Sequence, residues 1–246
     1  MPPLPVARVG LARLPCRGGV FFLALALLLQ AGVAAADGRH GAAAASTVQM
    51  DFVPPAPGTY ELQRIMRAAD GRVLDTEGKS HDLSRFTGGK VTLLSFIYSS
   101  CADPGGCPYA YMVFHQLQSR LARDPRLAGQ VRLVSLSFDP MRDTPEVLAL
   151  YAGDNARAGR PGEWAFLTTG TVKDLLPILD GFGQDVFLDI DPASGEHLGT
   201  YSHVLKVFLI DRDRMVREIY TTAYLMPEMV YNDIVTLLLE AGHKLE

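Results

Sequence analysis

The residues best able to do chemistry lie in one ten-residue stretch, Ser99-Ser100-Cys101-Ala102-Asp103-Pro104-Gly105-Gly106-Cys107-Pro108, which holds two of the chain's three cysteines. Two thiols on a glycine-containing loop can close a disulfide or clamp one soft metal ion, and the loop alone does not choose between them. An inert staple is the plain alternative, but a staple is seldom put on a turn from a strand into a helix. Such a turn is what the flanks predict. Residues 91–98 form a continuous apolar run of strand length, fit to be buried on both faces. Cys107-Pro108 then reads as the start of a helix, with proline where no amide hydrogen is missed. A helix N-terminus favours negative charge, so Cys107 is expected to form its thiolate more readily than a free cysteine, with Asp103 partly opposing this. Pro104-Gly105-Gly106 must turn the chain within three residues, and at least one of the two glycines is expected to take a positive φ.

The elements around this turn follow from periodicity. From Pro108, residues Ala110, Val113, Phe114, Leu117 and Leu121 recur at helical spacing, and 131–138 is a second apolar strand. Strand, helix, strand predicts a parallel pair with a right-handed crossover. Beyond Asp139, either Thr144 caps the next helix with Pro145 in first position, or Asp143 caps it with Glu146 reaching back; Val147, Leu148 and Tyr151 then face inward. Residues 164–167 read as a short strand, 171–180 as a helix, 204–210 as a strand that starts just after His203, and 215–220 as its hairpin partner. The last helix, 227–241, shows Val230, Ile234, Leu237 and Leu238 on one side. This order predicts a thioredoxin-like α/β domain with a mixed central sheet flanked by helices, spanning 59–246.

Residues 1–36 read differently. Arg8, Arg13 and Arg17 precede an apolar run from Val20 that ends at Ala34-Ala35-Ala36, the pattern of a secretory signal peptide. The alternative is an uncleaved anchor, but the apolar run is shorter than the roughly 20 residues a spanning helix needs. Cys16 precedes this run, so it does not stand where a lipoprotein cysteine would. Residues 37–58, small, polar and then proline-rich, form a linker and an extended lead-in. The expectation is an exported, periplasmic protein, soluble or tethered through its apolar segment. The chain of 246 residues carries a net charge of −4, and loss of the three leader arginines takes it to −7. So acidic a surface disfavours nucleic acid and anionic membranes as partners.

Four pieces of the chain, in this order, carry a resemblance to a known family: the Cys101…Cys107-Pro108 turn after a strand, Ser137-Phe-Asp-Pro-Met-Arg-Asp-Thr-Pro145, Leu167-Thr-Thr-Gly-Thr171, and Tyr201-Ser-His203. Over about residues 72–241 the chain resembles the Sco/SenC copper chaperones, associated with assembly of the copper centre of cytochrome oxidase. The resemblance implies a thioredoxin-like fold, copper as Cu(I) and also Cu(II), and an exported copper-receiving partner such as an oxidase subunit. Two departures stand out. The family has three residues between its cysteines, where this chain has five, and an acidic residue before its histidine, where Ser202 stands.

The resemblance implies Cys101, Cys107 and His203 as ligands, and their chemistry agrees: an imidazole beside two thiolates suits Cu(I), and no fourth donor is evident for structural zinc. Asp139 leaves its strand on the same edge and is expected to orient a ligand or accept a hydrogen bond. His115, His81, His197, His40 and His243 read as surface residues, and Met112, one turn after Cys107, reads as core. Two cysteines in an exported protein are oxidised by default, so a working dithiol needs an external thiol reductant. A second function class is therefore a thiol:disulfide oxidoreductase that uses Cys101 and Cys107 as a redox pair without metal. A peroxidase fits poorly, because Tyr98 stands where its threonine would be.

Overall fold

The computed structural model describes residues 53–156 and 162–243. The signal-peptide reading of 1–36 and most of the linker fall outside them. Among the described residues no helix is long and apolar enough to cross a membrane.

In chain order the elements are β1 (Met66–Arg67), β2 (Arg72–Leu74), β3 (Ser80–Asp82), α1 (Ser84–Thr87), β4 (Val91–Ile97), α2 (Cys107–Ala122), α3 (Pro125–Ala128), β5 (Val131–Ser137), α4 (Pro145–Ala152), β6 (Glu163–Leu167), α5 (Val172–Phe182), β7 (Val186–Ile190), β8 (His197–His203), β9 (Val207–Ile210), β10 (Met215–Tyr220) and α6 (Pro227–Glu240). Six strands make the central sheet in the order β1-β10-β9-β4-β5-β6. β4, β5 and β6 run parallel, with Val91 opposite Val131 and Ile97 opposite Ser137, and β9 and β10 complete the sheet antiparallel. The expected mixed sheet flanked by helices is present. β4 sits at its middle because all seven of its side chains are buried, which only a strand covered on both faces tolerates.

Helix α2 packs on β4 and β5 through the stripe read from the sequence, with Ala110, Val113, Phe114, Leu117 and Leu121 all buried. The rings of Phe96, Phe182 and Phe208, edge-to-face in the two Phe96 pairs and tilted in the third, fasten α5 to β4 and β9. Thr144, not Asp143, caps α4, accepting from the Val147 amide. Leu148 faces fully inward, whereas Val147 and Tyr151 are half-buried.

The largest difference from the sequence reading lies between α5 and β9. Residues 204–206 precede β9 rather than belong to it, and His203 is the last residue of β8 instead of standing at the start of the apolar strand. β7 and β8 form a separate antiparallel hairpin, closed by a turn in which the Asp191 carboxylate accepts from Ala193 and Gly195 takes φ +72°. Its outer residues Phe187, Ile190 and Leu198 are exposed, so no alternation of apolar and polar residues marked it as a strand pair.

Candidate metal centre

β4 leads into the site. At its end the chain turns at Ser99, whose backbone N–H donates to the Asp143 carboxylate at 2.9 Å and whose hydroxyl donates to the same group. Ser137 at the end of β5 donates to Asp143 at 2.5 Å. Asp143 is 1% exposed, so one buried carboxylate ties the ends of two parallel strands to the start of the cysteine loop. The loop has its own braces. The Gly105 amide donates to the Asp103 side chain and the Gly106 amide to the Asp103 carbonyl, both at 3.0 Å, while the Thr222 hydroxyl donates to the Gly105 carbonyl at 3.1 Å.

Neither glycine has a positive φ, against the expectation that at least one of them would. Gly106 lies at φ −99°, and Gly105 is likewise outside the left-handed region. The five-residue spacing supplies the reason, since the turn is spread over Asp103 to Gly106 instead of being forced through one residue.

Cys107 begins α2 as its first residue, with Pro108 following, and its side chain is fully buried. That burial pushes its thiol well above the ordinary cysteine range, and the backbone N–H groups of Tyr98 and of Cys107 itself only partly offset it. The expected easier thiolate is therefore overturned: a helix terminus is worth about 0.3–1 kcal/mol at a surface, less than the cost of charging a sulfur inside an apolar core. Cys101 is half-buried against the core, and both thiols are free.

His203 closes the group. Its ring lies edge-on to Phe138 at 4.9 Å and to Tyr98 at 6.2 Å, and these rings also pack on Tyr201. Burial lowers its pKa, offset in part by the Val204 backbone and the Asp103 charge. A neutral imidazole, the form that can ligate, is thereby favoured. The Sγ atoms of Cys101 and Cys107 and a ring nitrogen of His203 all lie within 4.8 Å of one another. Nitrogen and sulfur donors stand about 2.0–2.3 Å from a first-row ion such as zinc, so three donors around one ion stand about 3.5–4 Å apart. The three atoms must close by up to about 1 Å to meet one ion.

Asp139 is 2% exposed. It engages Tyr201, whose phenol is raised to about 12 by burial and by this carboxylate, and Arg142, whose Nε is 3.4 Å away. It thus touches the hairpin that carries His203, on the residue two before it. Other candidates lie apart. His81 pairs with Asp75 at 2.7 Å, His115 lines an open surface hollow with Arg120 and Arg123, and Met112 is partly exposed rather than core. An Asp-Thr pair before proline offers two equivalent caps, and nothing local marks Asp143 as a joint: its contacts to Ser99 and Ser137 span 44 and 6 residues.

Residues 68–239 match the family model described as SCO1/SenC. No curated protein matches the chain in sequence. Among solved structures, the chain is similar to copper-bound ScoI of Arabidopsis thaliana (16% identity, TM-score 0.57, 70% of this chain and 98% of that one). It is similar to apo Sco1 of Thermus thermophilus (24%, 0.55, 75% and 98%). BsSco, described as a member of the Sco family of cytochrome c oxidase assembly proteins with a disulfide switch, aligns at 20% identity and TM-score 0.53 over 72% and 98%. These identities speak for the thioredoxin-like fold, and the family match covers well over half the sequence. The chain belongs to the SCO1/SenC family.

Proposed function

We propose that this protein is a copper metallochaperone of the exported compartment that serves assembly of a copper centre such as that of cytochrome c oxidase. One observation carries the reading: two thiols and one imidazole, from a loop, a helix start and a strand end, held within 4.8 Å. Two soft sulfurs and a nitrogen suit Cu(I), with further donors needed for Cu(II). Copper is cargo here, so three protein ligands and an accessible edge serve better than a closed four-ligand cage. Copper-bound relatives of the same fold and one described among oxidase assembly proteins support this reading. Cys101 and Cys107 act as thiolate ligands, His203 as the imidazole ligand, and Asp139 orients the hairpin behind it. The recipient is an exported protein such as an oxidase subunit, and an external reductant keeps the thiols free.

The reduced mature domain is expected to bind one copper ion. Cys101→Ser or Cys107→Ser abolishes tight binding, and His203→Ala weakens it and changes the absorption and EPR spectra. Unchanged affinity in the Cys101→Ser, Cys107→Ser double variant would sink the reading. Export predicts that protein from the envelope fraction starts near Asp37 by mass spectrometry; an intact residue 1–36 segment in the membrane pellet would instead mean an anchor.

The thiol:disulfide oxidoreductase reading keeps a specific support in the closeness of the two free sulfurs. It predicts full turnover of a dithiol substrate by the His203→Ala variant, whereas the chaperone reading makes His203 necessary for loading.

A further inference from the structure

The inward face of β8 reads Gly199, Tyr201, His203, each half-buried, between the exposed Leu198, Thr200 and Ser202. Arg142, in the loop after β5, grips the first two of these. Its Nη1 donates to the Gly199 carbonyl at 2.5 Å, and its guanidinium lies 5.8 Å from the Tyr201 ring centre. Its Nε stands 3.4 Å from Oδ2 of the buried Asp139, an oxygen that makes no hydrogen bond among the described residues. Gly199 has φ +78°, and a Cβ there would meet the guanidinium at 3.6 Å, so strand and side chain are in direct contact.

We propose that Arg142 is a positioning residue for His203: by tying Gly199 and Tyr201 to Asp139, it sets the tilt of the hairpin that presents the imidazole to the two thiols. The inference rests on the copper-binding role of His203. The aromatic contacts of Tyr98 and Phe138, and the Gln184 side chain donating to the Val204 carbonyl at 3.1 Å, hold the hairpin near its His203 end. Arg142 holds it four residues away, about 13 Å along a strand. Two separated attachments on one face fix an angle, which one attachment does not. A lysine would keep the charge but lose the planar fork that reaches carbonyl, carboxylate and ring together.

The test uses the mature chain with Arg142→Ala, Arg142→Lys, and each combined with His203→Ala. In metal-free protein, the His203 ring protons carry ring-current shifts from Phe138 and Tyr98; Arg142→Ala should move them towards free-histidine positions and broaden them, and Arg142→Lys should restore part of the shift. Loaded with Cu(II), Arg142→Ala should lose imidazole nitrogen coupling in EPR and bind copper about tenfold more weakly. It should have no further effect when His203 is already alanine. Because Arg142→Ala leaves Asp139 without its cation, the Asp139→Asn, Arg142→Ala variant separates a folding defect from a positioning one, and should still show the His203 shifts of the single Arg142 variant. Wild-type ring shifts and nitrogen coupling in Arg142→Ala overturn the proposal, as does an equal loss of affinity in the His203→Ala background. If His203→Ala itself leaves the copper spectrum unchanged, the copper reading fails, while the metal-free ring shifts still decide the role of Arg142.

Discussion

Burial decides the character of the Cys107 sulfur before any metal is present. Cys107 is held as a neutral thiol by its apolar surroundings, so a bound cation must displace its proton and supply the positive charge that makes a buried thiolate tolerable. The half-buried Cys101 and the imidazole of His203 complete the set from the solvent side. The two glycines of the loop differ in how much room they leave. A Cβ on Gly105 would stand 3.6 Å from the Asp103 carboxylate and 3.9 Å from Thr222, ordinary contacts, whereas one on Gly106 would meet three Asp103 atoms at 3.3–3.4 Å. With neither φ positive, Gly105→Ala should stabilise the metal-free domain by about 0.4–1 kcal/mol by restricting the unfolded chain. Gly106→Ala should gain less, because Asp103 must shift. Urea denaturation of both variants checks this, and a loss in Gly105→Ala would show that the loop needs glycine there.

At the level of elements, the site stands where the ends of β4, β5 and β8 meet, and Asp143 is the joint between the first two. Its carboxylate takes three donors, two from Ser99 and one from Ser137. Asp143→Ala leaves these groups unpaired in a buried place, a cost of about 1–3 kcal/mol. Because Ser99 lies two residues before Cys101, the variant should also bind copper more weakly at temperatures where it stays folded. Asp143→Asn, which can keep its oxygen for the Ser99 N–H and the Ser137 hydroxyl and turn its amide to the Ser99 hydroxyl, should fall between. A fully stable Asp143→Ala variant with wild-type copper affinity would remove Asp143 from the positioning of the loop.

Across the whole molecule, the lead-in crosses α6 and is fastened by side chains far along the chain. Asn232 donates to the Pro55 carbonyl at 3.0 Å, the Gly58 amide donates to Thr236 at 3.0 Å, and Arg217 donates to the Leu62 carbonyl at 2.7 Å. Tyr60 and Tyr220 both donate to the buried Asp233, at 2.5 and 2.6 Å. Burial raises the Asp233 pKa while these two phenols hold it down. Tyr60→Phe removes one donor from a desolvated carboxylate, so it should destabilise the domain by about 1–3 kcal/mol without changing the copper spectrum. Denaturation midpoints and the spectrum of the loaded variant check both halves. An altered spectrum would mean that the strap reaches the metal centre.

The amino-acid sequence by itself determined the central strand, the helix after the dithiol, the parallel β4–β5 pair and the Thr144 cap as one of two choices. Their signals are local: an unbroken apolar run, a helical stripe, a proline after a capping residue. It also determined which three side chains form the cluster, through their types and the family likeness. Only the tertiary structure decided that Cys107 is a buried neutral thiol, that Gly105 and Gly106 avoid positive φ, that Asp143 is a joint, and that His203 rides on a separate hairpin. Each of these depends on what lies against a residue from elsewhere in the chain. Desolvation, the spread of a turn over five residues, and hydrogen bonds such as those from Ser99 to Asp143 arise only when distant segments meet, and leave no periodic trace in either segment alone.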